Sequence, residues 1–204
     1  MSSPLSGNSL PTEIVVGGQG FAIRHDFRDG IRFETMMSDR RIPDQTRVTL
    51  ALDIWFETRP RADLGAVITG MLDFYRCGKP AATEDSSERV MSYDADWDAI
   101  FSGFLSTYRI DLLDPDTRLH WWKFRSMLMA LPSDSQLMRI IGYRVAKPYK
   151  GMSDEAKSHM RKMARLYALP DDATNRPVRL KTQADVDAAL AAINEAKRKA
   201  AADG

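Results

Sequence analysis

Apolar residues recur at helical spacing through most of the chain, and only a short segment near the N-terminus has the composition of β-strands. There, the β-prone runs Glu13–Val16 and Phe21–Arg24 flank Gly17–Gly20, a pattern typical of a β-hairpin. A short helix is expected next, over Asp26–Met37. The pattern therefore predicts a mainly α protein, a multi-helix bundle with one short N-terminal β-hairpin.

Two predicted helices follow and should pack as a helical hairpin. Asp44 is the expected N-cap of the first helix, because Pro43 precedes it and apolar residues then repeat every three or four positions. Asp63 opens the second helix, which should end at Gly78 and Pro80. The polar segment that comes after has no apolar period and is the best candidate for a linker.

The second half of the chain carries further helical patterns. Asp94, Asp96 and Asp98 stand at the head of one helix, where carboxylates cap and complement the helix dipole. Ser133 is the expected cap of a later helix, and Ser153 is the expected cap of the one after it. These assignments rest on apolar spacing and on residues that favour helix starts.

The largest apolar side chains lie around the segment Leu119–Phe124 with its two adjacent tryptophans, in a helix expected to run to about Ala130. An indole buries roughly 150 to 250 Å², so such a cluster is expected to fix packing rather than to perform chemistry. We expect the core to include Trp97, Phe101, Phe104, Tyr108, Leu119, His120, Trp121, Trp122 and Phe124.

The C-terminal helix has a different pattern. Val186, Leu190 and Ile193 form a narrow apolar stripe on an alanine-rich segment, which predicts a detached amphipathic helix suited to docking or self-association. The expected organisation is a disordered N-terminus over 1–9, a hairpin-plus-helices subdomain over 10–78, a linker over 79–91, a Trp-rich helical subdomain over 92–170, and a linker with the C-terminal helix over 171–204.

Composition narrows the functional classes. The chain has 204 residues, is 44% hydrophobic and has a formal net charge of +1, so no global field attracts it to nucleic acid or membrane. The single cysteine cannot close an internal disulfide, and no stretch approaches the roughly 18 apolar residues of a membrane helix. We expect a cytoplasmic protein without a membrane anchor.

No pattern of residues points to catalysis or to metal binding. Asp94, Asp96 and Asp98 have the opening spacing of a calcium loop, but Ala99 and Leu105 stand where the loop needs glycine and a bidentate acid. The three histidines are far apart in sequence, and none has a second histidine or the cysteine three or four residues away. We therefore expect no catalytic, cofactor or metal site, and a protein that is not an enzyme.

Positive charge is concentrated between Arg139 and Arg165, although it cancels over the whole chain. One interpretation of this positive segment is a helix face exposed to solvent. A nucleic-acid surface, for which no recognition motif is present, and a surface for an acidic partner helix are the others. Together with the C-terminal stripe, this segment gives the candidate partner-binding residues Arg144, Lys157, Arg161, Lys162, Arg165, Val186, Leu190 and Ile193.

Several of these residues occur together in one known family. The run Leu119-His120-Trp121-Trp122-Lys123-Phe124 is the most specific part, supported by Leu10-Pro11, Gly17-Gly18, Phe27-Arg28, Phe74–Gly78, Asp94-Ala95-Asp96, Ile100, Phe104, Tyr108, Ile110-Asp111-Leu112, Ile141, Tyr143-Arg144 and Met163–Leu169. With these residues the chain resembles a bacteriophage protein family found in tail-assembly gene clusters of phages with long, non-contractile tails. The resemblance covers roughly Leu10 to Pro170.

The resemblance implies a small, mainly helical tail assembly chaperone encoded near the tape measure protein. Such a chaperone would bind the tape measure in the cytoplasm of the bacterial host until tail tube protein polymerises around it, and self-association is expected. Two alternatives remain: a structural tail component that stays in the virion, and a nucleic-acid-binding helical protein, which has less support.

Overall fold

The fold is described from a computed structural model, which covers residues 9–39, 41–80 and 89–170 together with the single positions 191 and 195. Within these ranges the protein is mainly α with one β-hairpin, which confirms the predicted fold class. The elements are β1 (Glu13–Val16), β2 (Gln19–Ala22), α1 (Phe27–Ser38), α2 (Asp44–Trp55), α3 (Leu64–Tyr75), α4 (Trp97–Tyr108), α5 (Trp121–Met129), α6 (Gln136–Val145) and α7 (Asp154–Leu166). The predicted stripe residues Val186, Leu190 and Ile193 lie outside the described residues.

The chain divides into two compact units. Among the described residues, unit 1 contains the hairpin and α1 to α3 together with Leu119–Trp122, and unit 2 contains residues 89–118 and 123–170. Thus α5 begins with two residues of unit 1 and continues in unit 2. The predicted boundaries at 10–78 and 92–170 remain predictions, and they had placed the tryptophan pair with the second subdomain.

The hairpin forms through a two-residue turn. Gly17 and Gly18 have φ angles of 59° and 82°, a left-handed conformation that glycine adopts at little cost. Val16 pairs with Gln19 and Val15 pairs with Gly20, so β2 begins inside the predicted glycine loop. The prediction of a second strand at Phe21–Arg24 is therefore corrected to Gln19–Ala22, because only two positions of the glycine run are needed for the turn.

Two of the predicted helix caps are confirmed. The Asp63 carboxylate accepts a hydrogen bond of 2.9 Å from the backbone N–H of Ala66 at the start of α3. At the start of α7, the Ser153 hydroxyl accepts one of 3.2 Å from the N–H of Ala156. Both bonds satisfy a backbone donor that the first turn of a helix leaves unpaired.

Three other cap predictions are corrected. Pro43 occupies the N-cap position of α2 without a side-chain cap, and Asp44 is already helical and pairs with Arg47. The cap of α6 is Ser135, not Ser133. Asp96 stands at the N-cap position of α4 but makes no side-chain cap bond, because its carboxylate is used elsewhere in unit 2.

Each unit has its own aromatic core. In unit 1, the largest fully buried side chains are Phe27, Phe33, Trp55, Met71 and Trp121. In unit 2, they are Ile100, Phe104, Leu112, Phe124 and Leu137. Burial of this kind contributes about 25 cal/mol per Å² of apolar surface, so these residues dominate the stability of each unit.

Candidate partner-binding surface

The segment Leu119–Trp122 completes unit 1 by returning to the start of α1. The N–H of Phe27 donates to the carbonyl of Leu119 at 2.9 Å, and the N–H of Trp121 donates to the carbonyl of His25 at 2.7 Å. Leu119 is 7% exposed and Trp121 is fully buried, whereas His120 and Trp122 are half-buried. These four residues lie within unit 1 as packing elements.

Both indoles of this segment are anchored at the end of α3. The Trp121 Nε1–H donates to the carbonyl of Tyr75 at 2.9 Å, and the Trp122 Nε1–H donates to the carbonyl of Phe74 at 2.7 Å. These carbonyls belong to the last turn of α3, where a helix leaves acceptors outside its own ladder, and the Phe74 carbonyl also accepts from the N–H of Cys77 at 2.9 Å. The two tryptophans therefore donate hydrogen bonds to carbonyl groups at the end of α3 in addition to packing in unit 1.

Hydrogen bonds at both ring nitrogens fix the orientation of His120. Its Nδ1 accepts a hydrogen bond of 3.0 Å from the backbone N–H of Trp122, and its Nε2 lies 2.9 Å from the carbonyl oxygen of Pro11. Because the carbonyl can only accept, Nε2 carries the proton. His25 stacks on this ring with centroids 5.1 Å apart, but both nitrogens of His120 are engaged. Among the described residues, no group of three or more His, Cys, Asp or Glu side chains could hold a metal ion.

The remaining predicted core residues lie in unit 2. Phe104 and Phe124 are fully buried and stack with centroids 5.0 Å apart. The hydroxyl of Tyr108 donates to the carbonyl of Met127 at 2.9 Å, which ties α4 to α5 within the unit. Trp97 and Phe101 are half-buried.

Helix α7 carries three exposed cationic side chains close together. No residue of this helix is fully buried, and its half-buried side includes Met160, Met163 and Tyr167, with α6 as its neighbour. With 3.6 residues per turn, Arg161, Lys162 and Arg165 fall together on the opposite side, and all three are exposed. We call these three residues the basic α7 face.

Among the described residues, the basic α7 face forms no ion pair with a carboxylate. On the same helix, Lys157 pairs with Asp154 at 3.1 Å. At the other end of α7, the pKa of Glu155 is lowered by hydrogen bonds from its own backbone amide and from Ser153. Leu166, adjacent in sequence to Arg165, is 66% exposed. The face thus combines unpaired cations with an exposed apolar residue.

Arg144 does not belong to this surface, although the sequence grouped it there. Its guanidinium forms hydrogen bonds of 2.7 Å to each carboxylate oxygen of Asp96, and others to the carbonyls of Val90 and Tyr167. The Arg144 side chain is only 10% exposed and that of Asp96 is 2% exposed. Arg144 is therefore an internal connection of unit 2, committed to partners 48 and 23 residues away in sequence.

A comparison with models of protein families shows which family the chain belongs to. A family model described as Bacteriophage Gp15 protein matches residues 8–169. The chain belongs to the bacteriophage Gp15 family. Neither the curated proteins nor the solved structures include a significant match to it.

The Gp15 match extends over every described element from β1 to α7. It therefore contains both the tryptophan segment of unit 1 and the basic α7 face of unit 2. Membership makes this a bacteriophage protein and points to a structural or morphogenesis role. No helix among the described residues of this Gp15-family chain is long and apolar enough to span a membrane.

Proposed function

We propose that this Gp15-family protein is a non-enzymatic tail assembly chaperone that binds the tape measure protein during tail morphogenesis. The observation that carries the proposal is the exposed basic α7 face, which forms no ion pair within the described part of the chain, in a protein of a bacteriophage family. The resemblance to tail-cluster proteins supports the choice of partner. The protein acts in the cytoplasm of the bacterial host, before the tail tube protein closes around the tape measure.

The proposed contact follows from charge and helix geometry. A tape measure is a long helical protein, and an acidic stripe on a helix would find Arg161, Lys162 and Arg165 on one side of α7. Exposed Leu166 adds apolar area next to these charges. Complementary charge of this kind raises the rate of encounter and fixes register more than it adds affinity.

Self-association is a second element of the proposal. It rests on the sequence stripe Val186, Leu190 and Ile193, which lies outside the described residues. Several copies bound along one tape measure would multiply weak contacts, because a second binding event on a shared partner is effectively intramolecular.

The experiment is co-expression with the tape measure protein of the same phage, followed by gel filtration of the soluble fraction. The proposal expects the two proteins to elute together and the tape measure to precipitate when expressed alone. A tape measure that is equally insoluble in both cases would overturn it.

A structural tail component is the main alternative. The two roles differ in whether the protein remains in the assembled tail. A chaperone leaves the assembled tail, whereas a structural component stays. Mass spectrometry of purified virions separates the two: stoichiometric amounts of this protein in the particle would favour the structural role over the chaperone.

A nucleic-acid role would use the same basic α7 face. Affinity for DNA or RNA would then fall steeply with salt, with a slope set by the number of phosphates contacted. Binding to DNA or RNA that falls steeply with salt and is lost when Arg161, Lys162 and Arg165 are neutralised would favour this role over the protein partner.

A further inference from the structure

Within the described residues, Gly20 and Ala22 on the outer edge of β2 form no backbone hydrogen bond. In an antiparallel pair, residues alternate between those that exchange hydrogen bonds across the pair and those that point their N–H and C=O groups away. The N–H of Ile23 donates to the carbonyl of Thr12 at 2.9 Å, which fixes this alternation. In the observed register, Gly20 and Ala22 oppose Val15 and Glu13 without exchanging hydrogen bonds. Their backbone groups therefore point away from β1.

The same edge is occupied one step further along the chain. The N–H of Arg24, which faces the same direction as those of Gly20 and Ala22, donates to the carbonyl of Trp55 at 2.7 Å. After Trp55 the chain continues as the segment 57–61, and this segment lines the side of a groove that β2 also lines. The chain therefore pairs with this edge through Trp55 and Arg24, as a third strand would, but within the described residues the segment after Trp55 does not pair with Ala22.

The groove has the dimensions of a peptide site. Its volume is about 1010 Å³, and all of its lining residues belong to unit 1. Residues Gln19–Ala22, which include the free edge, lie along it. Gly20 and Ala22 are both exposed, so a ligand can reach their backbone groups. Unpaired strand edges of this kind are templates for an added strand.

Charge indicates which peptide would fit. Three of the charged residues that line the groove are paired: Asp26 with Arg28, Asp29 with Arg32, and Arg59 with Asp53. Arg24, Arg61 and Glu57 also line it and form no contact ion pair within the described residues. The lining as a whole is balanced, with three arginines and three carboxylates, and Arg24 also acts electrostatically on Asp29. Because the paired groups are held by their partners, the arginines that can meet a carboxylate of an added strand are Arg24 and Arg61.

We propose that the free edge of β2 binds an extended peptide segment of a partner protein as an added strand, with a carboxylate of that segment meeting Arg24 or Arg61. Main-chain hydrogen bonds to Gly20 and Ala22 supply the binding, and the arginines select acidic segments. A second copy of this chain, paired edge to edge through β2, is disfavoured because β2 has the sequence Gln-Gly-Phe-Ala and brings no carboxylate to the arginines. This site is separate from the basic α7 face and does not depend on the tape measure as partner.

The variant that isolates the edge is Ala22→Pro. Proline removes the outward N–H, and an edge strand tolerates proline where the missing donor faces solvent. Ala22→Val is the matched control, since it changes the side chain but keeps the N–H and favours a strand. Position 20 is unsuitable, because a Cβ at Gly20 would lie 2.7 Å from the Glu13 carboxylate.

The probe is an array of overlapping 15-residue peptides covering every protein encoded by the phage, including this chain. We expect acidic, extended segments of another protein to bind the wild type and Ala22→Val equally and to bind Ala22→Pro at least about tenfold more weakly. An array with no binding peptide, or with peptides that bind Ala22→Pro as tightly as the wild type, overturns the proposal. Binding confined to peptides of this chain would assign the edge to a second copy and also overturn it.

Hydrogen exchange on the wild-type protein is a second measurement, and it does not depend on whether Ala22→Pro folds. Bound peptide should protect the amides of Gly20 and Ala22, which are exposed in the free protein. Unchanged exchange at both amides at saturating peptide contradicts strand addition. A segment from a protein other than the tape measure would support the groove and would leave the chaperone role, which rests on the basic α7 face, to its own test.

Discussion

Arg144 and Asp96 form a bidentate ion pair inside unit 2, with both hydrogen bonds at 2.7 Å. Asp96 also accepts a hydrogen bond of 2.9 Å from the N–H of Ser92, and Arg144 donates to the carbonyl of Tyr167. One pair thus connects the approach to α4 with α6 and with the end of α7. It holds the helix that carries the basic α7 face.

Removing one member of this pair should destabilise unit 2. Arg144→Ala leaves the Asp96 carboxylate buried without its cation, a change that typically costs about 3 to 5 kcal/mol. Urea unfolding followed by circular dichroism measures the loss. Arg139→Ala on the same helix is the control, because Arg139 is exposed and should change stability by less than about 0.5 kcal/mol. Equal effects of the two substitutions would contradict the internal role of Arg144.

Gly30 in α1 and Gly142 in α6 provide a matched pair of helical glycines. A Cβ added at Gly30 would overlap the ring of buried Trp121, whereas one added at Gly142 would meet no atom within 4 Å. Gly30→Ala should therefore destabilise by about 1 to 3 kcal/mol through overpacking. Gly142→Ala should be neutral or stabilising by up to about 1 kcal/mol, since alanine favours helix. Thermal unfolding of both variants tests the contact, and a stable Gly30→Ala protein would argue against it.

The two adjacent tryptophans should respond differently to truncation. Trp121 is fully buried and Trp122 is half-buried, although each donates one hydrogen bond to α3. Trp121→Ala is expected to cost about 3 to 5 kcal/mol, and Trp122→Ala is expected to cost less. Denaturant midpoints give the comparison. A larger loss at Trp122 would show that the burial of the pair is misassigned.

The basic α7 face can be tested without disturbing the fold. Arg161→Glu combined with Lys162→Glu reverses two exposed charges and should weaken capture of the tape measure by at least about tenfold, with unchanged thermal stability. Lys123→Glu combined with Arg139→Glu reverses the same number of exposed helical charges in unit 2 and should leave capture intact. Pull-down at two salt concentrations measures both. Equal losses would mean that net charge, rather than this face, determines binding.

Local features of the fold were predictable because their signals lie within a few residues. The glycine turn, Asp63 and Ser153 each act on neighbours no more than three residues away. The prediction of a cap was wrong where two candidate residues lay close together, as with Ser133 and Ser135. The cap is the residue at which the chain enters the helical conformation, and apolar spacing does not locate it to a single residue.

Long-range pairing could not be predicted from apolar periodicity. The Trp121 indole reaches Tyr75 across 46 residues, and Arg144 reaches Asp96 across 48. Charge pattern alone therefore placed Arg144 on a surface, although burial makes it part of the interior. The same spacing rule correctly indicated that Arg161 and Arg165 share a helix face, because that relation is local.

The most direct test of the proposed function is the fraction of tape measure protein that remains soluble when it is co-expressed with and without this chain. The account predicts that the soluble tape measure appears only with the wild-type chain, elutes with it, and is reduced by Arg161→Glu combined with Lys162→Glu. A tape measure that precipitates regardless, while this protein elutes alone, would contradict the chaperone role.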